Sequence, residues 1–372
     1  MKIVAIAGST IPSDTANSIQ VMKACNALVQ LGHDLTLIVP DSSSRPSTFD
    51  LRQIYGISTS FPIEWLTSTN RRLFTWNAVR RALKLNPDLI YTWFPQSAVF
   101  GLLYKFPVVF EIHIHPTGLF GPAWHRAFAT LRGRKRLASS TQALANLLER
   151  KHHIRFKPDE AVIAPNGVDL ERFASLPDPV TARQKLGLPA ISTVICTGHL
   201  YTGRGAELFL SLAKELPKAH FVWVGGRSED VIAWKRRADA KKIPNVTFTG
   251  FVPNTQIPLY QVAADILLMP YGRTIMGSSG SENSASIASP MKMFEYMAAE
   301  RAIVTSDLPV IREVLNEKNA VFCDPDDLAS WKSALENLLN NASKRMLLGE
   351  QAGKDANGYT WLARAEKILK GL

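Results

Sequence analysis

Cysteine is scarce in this chain: Cys25, Cys196 and Cys323 are the three among 372 residues. Odd in number, far apart and set in apolar runs, they exclude a disulfide framework and a cysteine-built metal cluster, and they read as buried thiols in a reducing compartment. No apolar run approaches the roughly 20 residues of a membrane-spanning helix, so the expectation is a soluble or peripheral protein. Residues 1–8 carry one charged side chain and a short apolar run, which suits a first β-strand better than the longer apolar region of a signal peptide. Zinc spacings and RNA-recognition signatures are missing too, and without them the positive charge does not read as a nucleic-acid footprint.

What is present is the composition of a globular protein, 46% hydrophobic and 20% charged, at a length that suits two domains. The net charge of +11 is uneven: residues 1–172 hold 20 Lys and Arg against 12 Asp and Glu, or +8, and the remainder carries only +3. Arg71, Arg72, Arg80, Arg81 and Lys84 form one cluster, and Arg126, Arg132, Arg134, Lys135 and Arg136 a second, with Phe74, Trp76, Trp124 and Phe128 interleaved. That pattern suits an anionic membrane surface or an acidic ligand; solvated helix faces are the plainer alternative.

Strand and helix signals alternate, stop and restart. In the first half residues 2–7, 35–39, 88–93, 108–113, 136–139 and 161–164 read as strands, with helices at 17–31 and 142–150. A Pro-bearing linker with a short helix covers 176–189. Strands then recur at 192–197, 220–224, 245–249, 264–269, 302–305 and 320–323, with helices at 206–216, 228–240, 255–263, 290–299 and 308–315 between them. Two long helical stretches, 326–341 and 347–369, finish the chain. This predicts an α/β protein of two doubly wound parallel-sheet, Rossmann-like domains facing across a cleft: 1–172, joined by the final helix at 357–372, and 173–356. Ligands of such sheets bind outside the carboxyl ends of the strands.

Two stretches carry the chemistry. In the helix at 290–299, Pro290 suits the first position, Met291, Phe294 and Met297 mark a buried face, and Lys292 and Glu295 sit three apart near its start. Helix N-termini attract phosphate, so Lys292 adds to a natural anion seat and Glu295 is placed to accept from sugar hydroxyls; an ordinary i,i+3 ion pair is the plainer reading. The loop Gly198-His-Leu-Tyr-Thr-Gly-Arg-Gly205 follows a strand and opens a helix, the context in which backbone and a guanidinium cradle phosphate. The Gly- and Ser-rich stretch 274–289 reads as a flap over the cleft or as an insert without fixed structure. His113 and His115 alternate at a strand end, but a metal would need a third ligand there. Asp324, Asp326 and Asp327 read as a helix cap, and His152 and His153 as solvated.

In order along the chain, Phe110-Glu-Ile-His113, Asn166-Gly-Val-Asp169, the 198–205 loop, Thr249-Gly-Phe-Val252, Ala264 to Pro270 and Ser289 to Asp307 resemble landmarks of the retaining, nucleotide-sugar-dependent glycosyltransferases of family 4, whose fold is of GT-B type. The resemblance implies an acceptor-side N-terminal domain and a C-terminal domain that binds the nucleotide sugar. It implies that Glu295 holds the donor ribose, that Arg204 and Lys292 neutralise the diphosphate, that Phe251 and Val252 border the base, and that His113 lies near the transferred sugar. His113, Arg204, Lys292 and Glu295 are thus the expected catalytic set, with Gly198, His199, Gly203, Pro290 and Met291 completing the donor site. Asn17 and Ser18 are candidates for the acceptor side.

The chain departs from the family pattern at three places. Ile287 stands where an earlier Glu is common, His199 where Arg is common and Arg204 where Lys is common, and the loop after the first strand lacks a double glycine. A variant pattern, Ser-Pro-x-Lys-x-x-Glu-Tyr, is the nearer match and uses its lysine for phosphate. The expected function is transfer of a hexosyl unit from a UDP- or GDP-sugar to a glycan or lipid-linked acceptor in polysaccharide or glycoconjugate synthesis, without metal or other cofactor. The cytoplasm or the inner face of the membrane is the expected location. A catalytically silent nucleotide-sugar or glycan binder, and a sugar-nucleotide epimerase, are the alternatives.

Overall fold

The computed structural model describes residues 1–42, 45–67, 70–275 and 285–372. The chain forms two compact units, one of Met1–Asn166 with Ile287–Ser289 and Trp361–Leu372, the other of Gly167–Ser286 and Pro290–Thr360.

Unit 1 holds strands β1 (Lys2–Ile6), β2 (Asp34–Pro40), β3 (Ile63–Leu66), β4 (Leu89–Thr92), β5 (Val108–Ile112), β6 (Lys135–Ser139) and β7 (Ala161–Ile163). They pair in parallel in the order β3-β2-β1-β4-β5-β6-β7. Helices α1 (Ala16–Gln30), α2 (Thr48–Tyr55), α3 (Arg71–Leu85), α4 (Pro95–Leu103), α5 (Gly121–Thr130) and α6 (Gln142–His152) make the crossovers. Val108–Ile112 is buried on both faces, which is why its run of apolar residues does not alternate. Polar caps fix the helix starts: Thr15 Oγ1 accepts from the Ser18 N–H, and Thr141 Oγ1 from that of Leu144 at 3.0 Å. The final helix, Trp361–Leu369, belongs to this unit and packs on α1.

Unit 2 begins with α7 (Pro179–Lys185) and continues β8 (Thr193–Thr197), α8 (Ala206–Glu215), β9 (His220–Val224), α9 (Ser228–Ala240), β10 (Val246–Phe248), α10 (Ile257–Ala263), β11 (Ile266–Met269), α11 (Met291–Ala298), β12 (Ala302–Ser306), β13 (Val321–Cys323), α12 (Leu328–Leu339) and α13 (Ala342–Ala356). Its parallel sheet runs β10-β9-β8-β11-β12-β13, and Phe209, Phe221, Trp223 and Trp331 fill the core beside it. In each unit the order reverses beside the first strand, between β1 and β4 and between β8 and β11. Such a reversal opens a crevice at the carboxyl ends of those two strands.

Several expectations need correction. The expected helix at 308–315 is a series of turns over 309–314: Ile311 and Val314 donate to carbonyls three residues back and Arg312 and Leu315 to carbonyls four back, so no continuous helical ladder forms. The single helix expected over 347–369 breaks at Asn357–Tyr359, after which Thr360 is extended. The short edge strand β3 and helices α2 to α5 fall in stretches with no strong periodicity. Asp327 caps α12 as expected, accepting from Ala329 N at 3.0 Å. Most of the Gly- and Ser-rich stretch, 276–284, lies outside the described residues.

The basic clusters are only partly on the surface. Lys135 turns inward to the carbonyls of Ala129 and Leu131, Arg136 donates to Lys370 O at 2.8 Å, and Arg81 pairs with Glu64 at 2.6 Å. Of the interleaved aromatics, Phe74 and Phe128 are core residues. His152, expected in solvent, is buried: it ends α6 and turns in against His125, their ring centroids 5.3 Å apart.

His125 is 1% exposed, and neither ring nitrogen has a partner among the described residues. Burial, helped by the charge His152 would carry, holds its pKa down to about 4. A folded value below the unfolded one means that the native state binds fewer protons, so this stability is complete above about pH 6.5 and drains away as the pH falls toward 4. The difference is worth about 3 kcal/mol at most. Denaturant unfolding from pH 7 to 4 should therefore show a shallower acid loss in His125→Leu than in the parent, and parallel losses would refute the assignment.

Candidate active site

At the carboxyl end of β8 the chain enters the 198–205 loop with three glycines at positive φ, Gly198 at +126°, Gly203 at +82° and Gly205 at +86°. A β-carbon on Gly203 would lie 1.9 Å from Thr274 O, and one on Gly205 1.9 Å from Pro270 O. The loop is thus pressed against the segment that leaves β11, and the Gly272 N–H donates to Gly203 O at 3.0 Å. His199 stacks on Tyr201, with centroids 4.9 Å apart.

Tyr271, two residues past β11 and almost wholly buried, is the hinge of the site. Arg204 Nη1 donates to its hydroxyl at 3.0 Å, and Lys292 Nζ stands 4.7 Å from its ring centroid. Lys292 also donates to Thr197 O at 2.9 Å, at the very end of β8. The loop arginine and the helix lysine therefore meet over one ring at the strand-order reversal of unit 2.

Helix α11 starts at Met291; Pro290 is its N-cap residue and supplies no side-chain cap. The buried face is Met293, Phe294, Tyr296 and Met297, with Met291 half-exposed, so the apolar stripe is rotated from the expected one. Tyr296 pins the helix to the sheet by accepting from Thr197 N at 2.8 Å. Glu295 is one turn along from Lys292 but engages different neighbours. Gln261 Nε2 donates to its Oε2 at 3.0 Å, and Arg172 Nη1 is 3.8 Å from its Oε1. Arg172 donates in turn to the carbonyl of Asn254, which ties Glu295 to the loop containing Phe251 and Val252. Phe251 is 66% exposed and Val252 half-buried.

Four buried polar atoms around these loops have no partner among the described residues: His199 Nδ1, Arg204 Nε, Asn254 Oδ1 and Gln261 Oε1. Leaving such atoms unanswered costs about 1–3 kcal/mol each, and these four sit on or beside the loops just described.

In unit 1, His113 follows β5 and sets Nε2 2.6 Å from Glu111 Oε1. His115 turns elsewhere, its Nε2 3.0 Å from Lys151 Nζ. Among the described residues no group of three His, Cys, Asp or Glu is placed to hold a metal. Asn17 is exposed and its Oδ1 accepts from Ser9; Ser18 is wholly buried, with its hydroxyl against the carbonyls of Ser13 and Thr15. Ile287 is a core residue of unit 1, so the position where a sugar-binding Glu is common is closed to solvent here. Tyr271, Gln261 and Arg172 escaped the sequence reading, since a Gln inside a helix or an Arg in a loop carries no periodic signal.

Two family models match the chain, that of Glycosyltransferase Family 4 over residues 18–172 and that of Glycosyl transferases group 1 over 191–341. The D-inositol 3-phosphate glycosyltransferase of Kineococcus radiotolerans is 26% identical over 230 residues, 57% of this chain and 51% of that protein. The processive diacylglycerol alpha-glucosyltransferase of Acholeplasma laidlawii is 23% identical over 284 residues, 72% of this chain and 78% of that one. The chain spans about half the length of the inositol phosphate relatives it matches. A crystal structure of HepE from Anabaena in complex with UDP shares the two-domain GT-B fold, with a TM-score of 0.74 and 16% identity over 100% of this chain and 99% of that one.

The glycine geometry is directly testable. Gly203→Ala and Gly205→Ala should each lower the denaturant midpoint of unit 2, by about 2–4 kcal/mol in stability, since both steric clash and positive φ oppose a β-carbon. Gly358→Ala, whose β-carbon meets nothing within 4 Å, is the control. Equal midpoints in all three would show that the loop is not packed as described.

Proposed function

This chain belongs to the group 1, family 4 glycosyltransferases, and from that premise we propose that it transfers a hexosyl unit from a UDP- or GDP-sugar to a glycan or lipid-linked acceptor, with retention of anomeric configuration. In this reading unit 2 binds the donor and unit 1 serves the acceptor. The observation that carries it is the pair of cations, Arg204 and Lys292, set over Tyr271 with the buried Arg204 N–H still unanswered.

As the glycosidic bond breaks, the departing nucleoside diphosphate gains negative charge. Cations already fixed beside it stabilise that state more than the ground state, because they need no reorganisation at the moment of reaction. Arg204, Lys292 and the uncapped start of α11 supply that charge without a metal. Glu295, steadied by Gln261, accepts from the ribose hydroxyls, and the Phe251–Val252 backbone borders the base. The acceptor hydroxyl attacks from the face the diphosphate leaves and passes its proton to a departing phosphate oxygen.

The acceptor side favours a membrane. Trp76, Phe100 and Trp124 form a ladder across α3, α4 and α5, with centroid spacings of 5.2 and 5.6 Å. Around them Leu73, Leu103 and Tyr104 are exposed beside the exposed cations Arg80, Lys84, Lys105 and Arg126. Apolar and aromatic side chains among cations suit the interface of an anionic bilayer at the cytoplasmic face. One relative is named for a diacylglycerol substrate, which accords with this.

Calorimetry with UDP and GDP tests the donor site: Arg204→Ala and Glu295→Ala should each weaken binding roughly 10- to 100-fold with unchanged circular dichroism. Parental affinity and activity in both would defeat the assignment. Tight nucleotide binding without transfer to any acceptor would favour the silent binder, and donor conversion without acceptor the epimerase. In flotation assays the protein should rise with anionic vesicles at low salt and be released as salt increases; no binding at low salt removes the membrane proposal.

A further inference from the structure

At the amino ends of β8, β11 and β12, the edge of the sheet opposite the glycine loop, unit 2 gathers guanidinium groups around one carboxylate. Asp265, the residue before β11, accepts on Oδ2 from Thr193 N at 2.8 Å and from Arg183 Nη1 at 3.1 Å. Arg345 of α13 sets Nη2 4.0 Å from Asp265 Oδ1, and its Nη1 is held by the carbonyls of Leu338 and Leu339 at the end of α12. Arg301, the residue before β12, donates from Nε to Ala299 O at 3.0 Å and interacts with the charges of Asp265 and Arg183. The other carboxylate that acts on Arg301 is Glu300, which is exposed.

The N–H groups of Arg183 are only half used. Its Nη1 is occupied by Ala263 O, at 2.8 Å, and by Asp265. What remains is the side-on edge, Nε–H with the parallel Nη2–H, on a residue only 8% exposed: Nε is buried without a partner, and Nη2 makes no hydrogen bond among the described residues. That edge is the one with which a guanidinium grips an oxyanion through two parallel bonds. Arg301 has Nε committed to Ala299 O, so its free pair is Nη1 and Nη2, and this half-buried side chain carries the cluster to the surface. Burial holds the Arg301 pKa below its ordinary value against the pull of Glu300 and Asp265, with the charge of Arg183 adding to the effect. A further negative charge beside it would relieve both. Tying α7 to the start of β11 needs Arg183 Nη1 alone, and that role leaves the buried Nε–H unexplained.

We propose that Arg183, Arg301 and Arg345 form an oxyanion site on this edge of unit 2, and that its ligand is of the phosphate class, inorganic phosphate or a phosphate monoester. Two guanidinium forks present more N–H groups than the two oxygens of a carboxylate answer well, whereas phosphate presents three or more oxygens and a larger charge. Arg345, its Nη1 already held by α12, contributes charge. The bound anion links α7, the entry to β12 and α13. None of these residues belongs to the donor site, so the proposal stands apart from the donor reading.

The test is calorimetric titration of the full-length Arg204→Gln, Lys292→Gln double variant, which lacks the cations of the donor site, with inorganic phosphate, glycerol phosphate and acetate at constant ionic strength. Saturable one-to-one binding of the phosphates, with none of acetate over the same range, is the expected result; the tighter of the two phosphates identifies the source as the free ion or an ester. Adding Arg183→Lys, which keeps a charge beside Asp265 but removes the fork, or Arg301→Gln should weaken phosphate binding roughly tenfold or more with unchanged circular dichroism. Should Arg183→Lys fail to fold, Arg301→Gln decides. Absence of saturable phosphate binding, acetate binding as tight as phosphate, or unweakened binding in the folded variants overturns the proposal. Failure of the parent to bind UDP or GDP sinks the donor reading instead and leaves the phosphate result untouched.

Discussion

A carboxylate cut off from water must have a cation beside it, and in unit 1 that cation comes from 253 positions further along the chain. Glu111 and Arg364 therefore bind the N-terminal sheet to the C-terminal helix, and unit 1 is complete only when the chain has returned from building unit 2. Exchanging such a pair for apolar residues is often tolerated, but removing one member strands the other at a cost of about 3–5 kcal/mol. The pair thus works less as a source of net stability than as a device that admits one placement of the final helix. Arg364 enforces that placement further by donating to Pro165 O, so the helix is fixed against the strand exit as well as against β5.

The same logic of parallel sheets governs both units. A parallel strand sends its following loop out at one edge, and reversal of strand order leaves a gap between neighbouring loops there. In unit 2 that gap is flanked by the glycine loop after β8 and by Tyr271 after β11, and the two cations converge on it. In unit 1 it lies near Gln20, Tyr91 and Glu111. Neither cluster is assembled by proximity in sequence. Each follows from where a 3-2-1-4 strand order places the ends of its strands.

How much of this was legible depended on whether one period dominated a segment. Thr193–Thr197 and His220–Val224 are buried on both faces and announce themselves as apolar runs. Residues 308–315 carry Leu308, Val310, Ile311 and Leu315, all buried, in a spacing that mimics a helix, yet the backbone bonds alternate between three and four residues back and only turns form. Ile63–Leu66 is a four-residue edge strand, half-buried throughout and holding Glu64, too short to show alternation. Arg204, Lys292 and Glu295 were recognisable because loop glycines and a helix start frame them. Their partners were not, since Tyr271, Gln261 and Arg172 are defined by which way a side chain turns, and that is settled only by packing. His152 shows the converse: a histidine in a basic run reads as solvated until His125 is seen to receive it.

The departures from the family pattern form one consistent set. With Ile287 placed in the apolar core of unit 1, an apolar side chain packed in that core stands where the family often has an earlier carboxylate. His199 removes one guanidinium from the loop and stacks on Tyr201, so the remaining positive charge is concentrated on two side chains that share Tyr271. Tyr271 meets both cations and so restrains where each one stands. An Arg–Tyr hydrogen bond and a Lys–ring contact both restrict rotamers before any ligand arrives, so in the proposed donor site little ordering would be left to be done on binding.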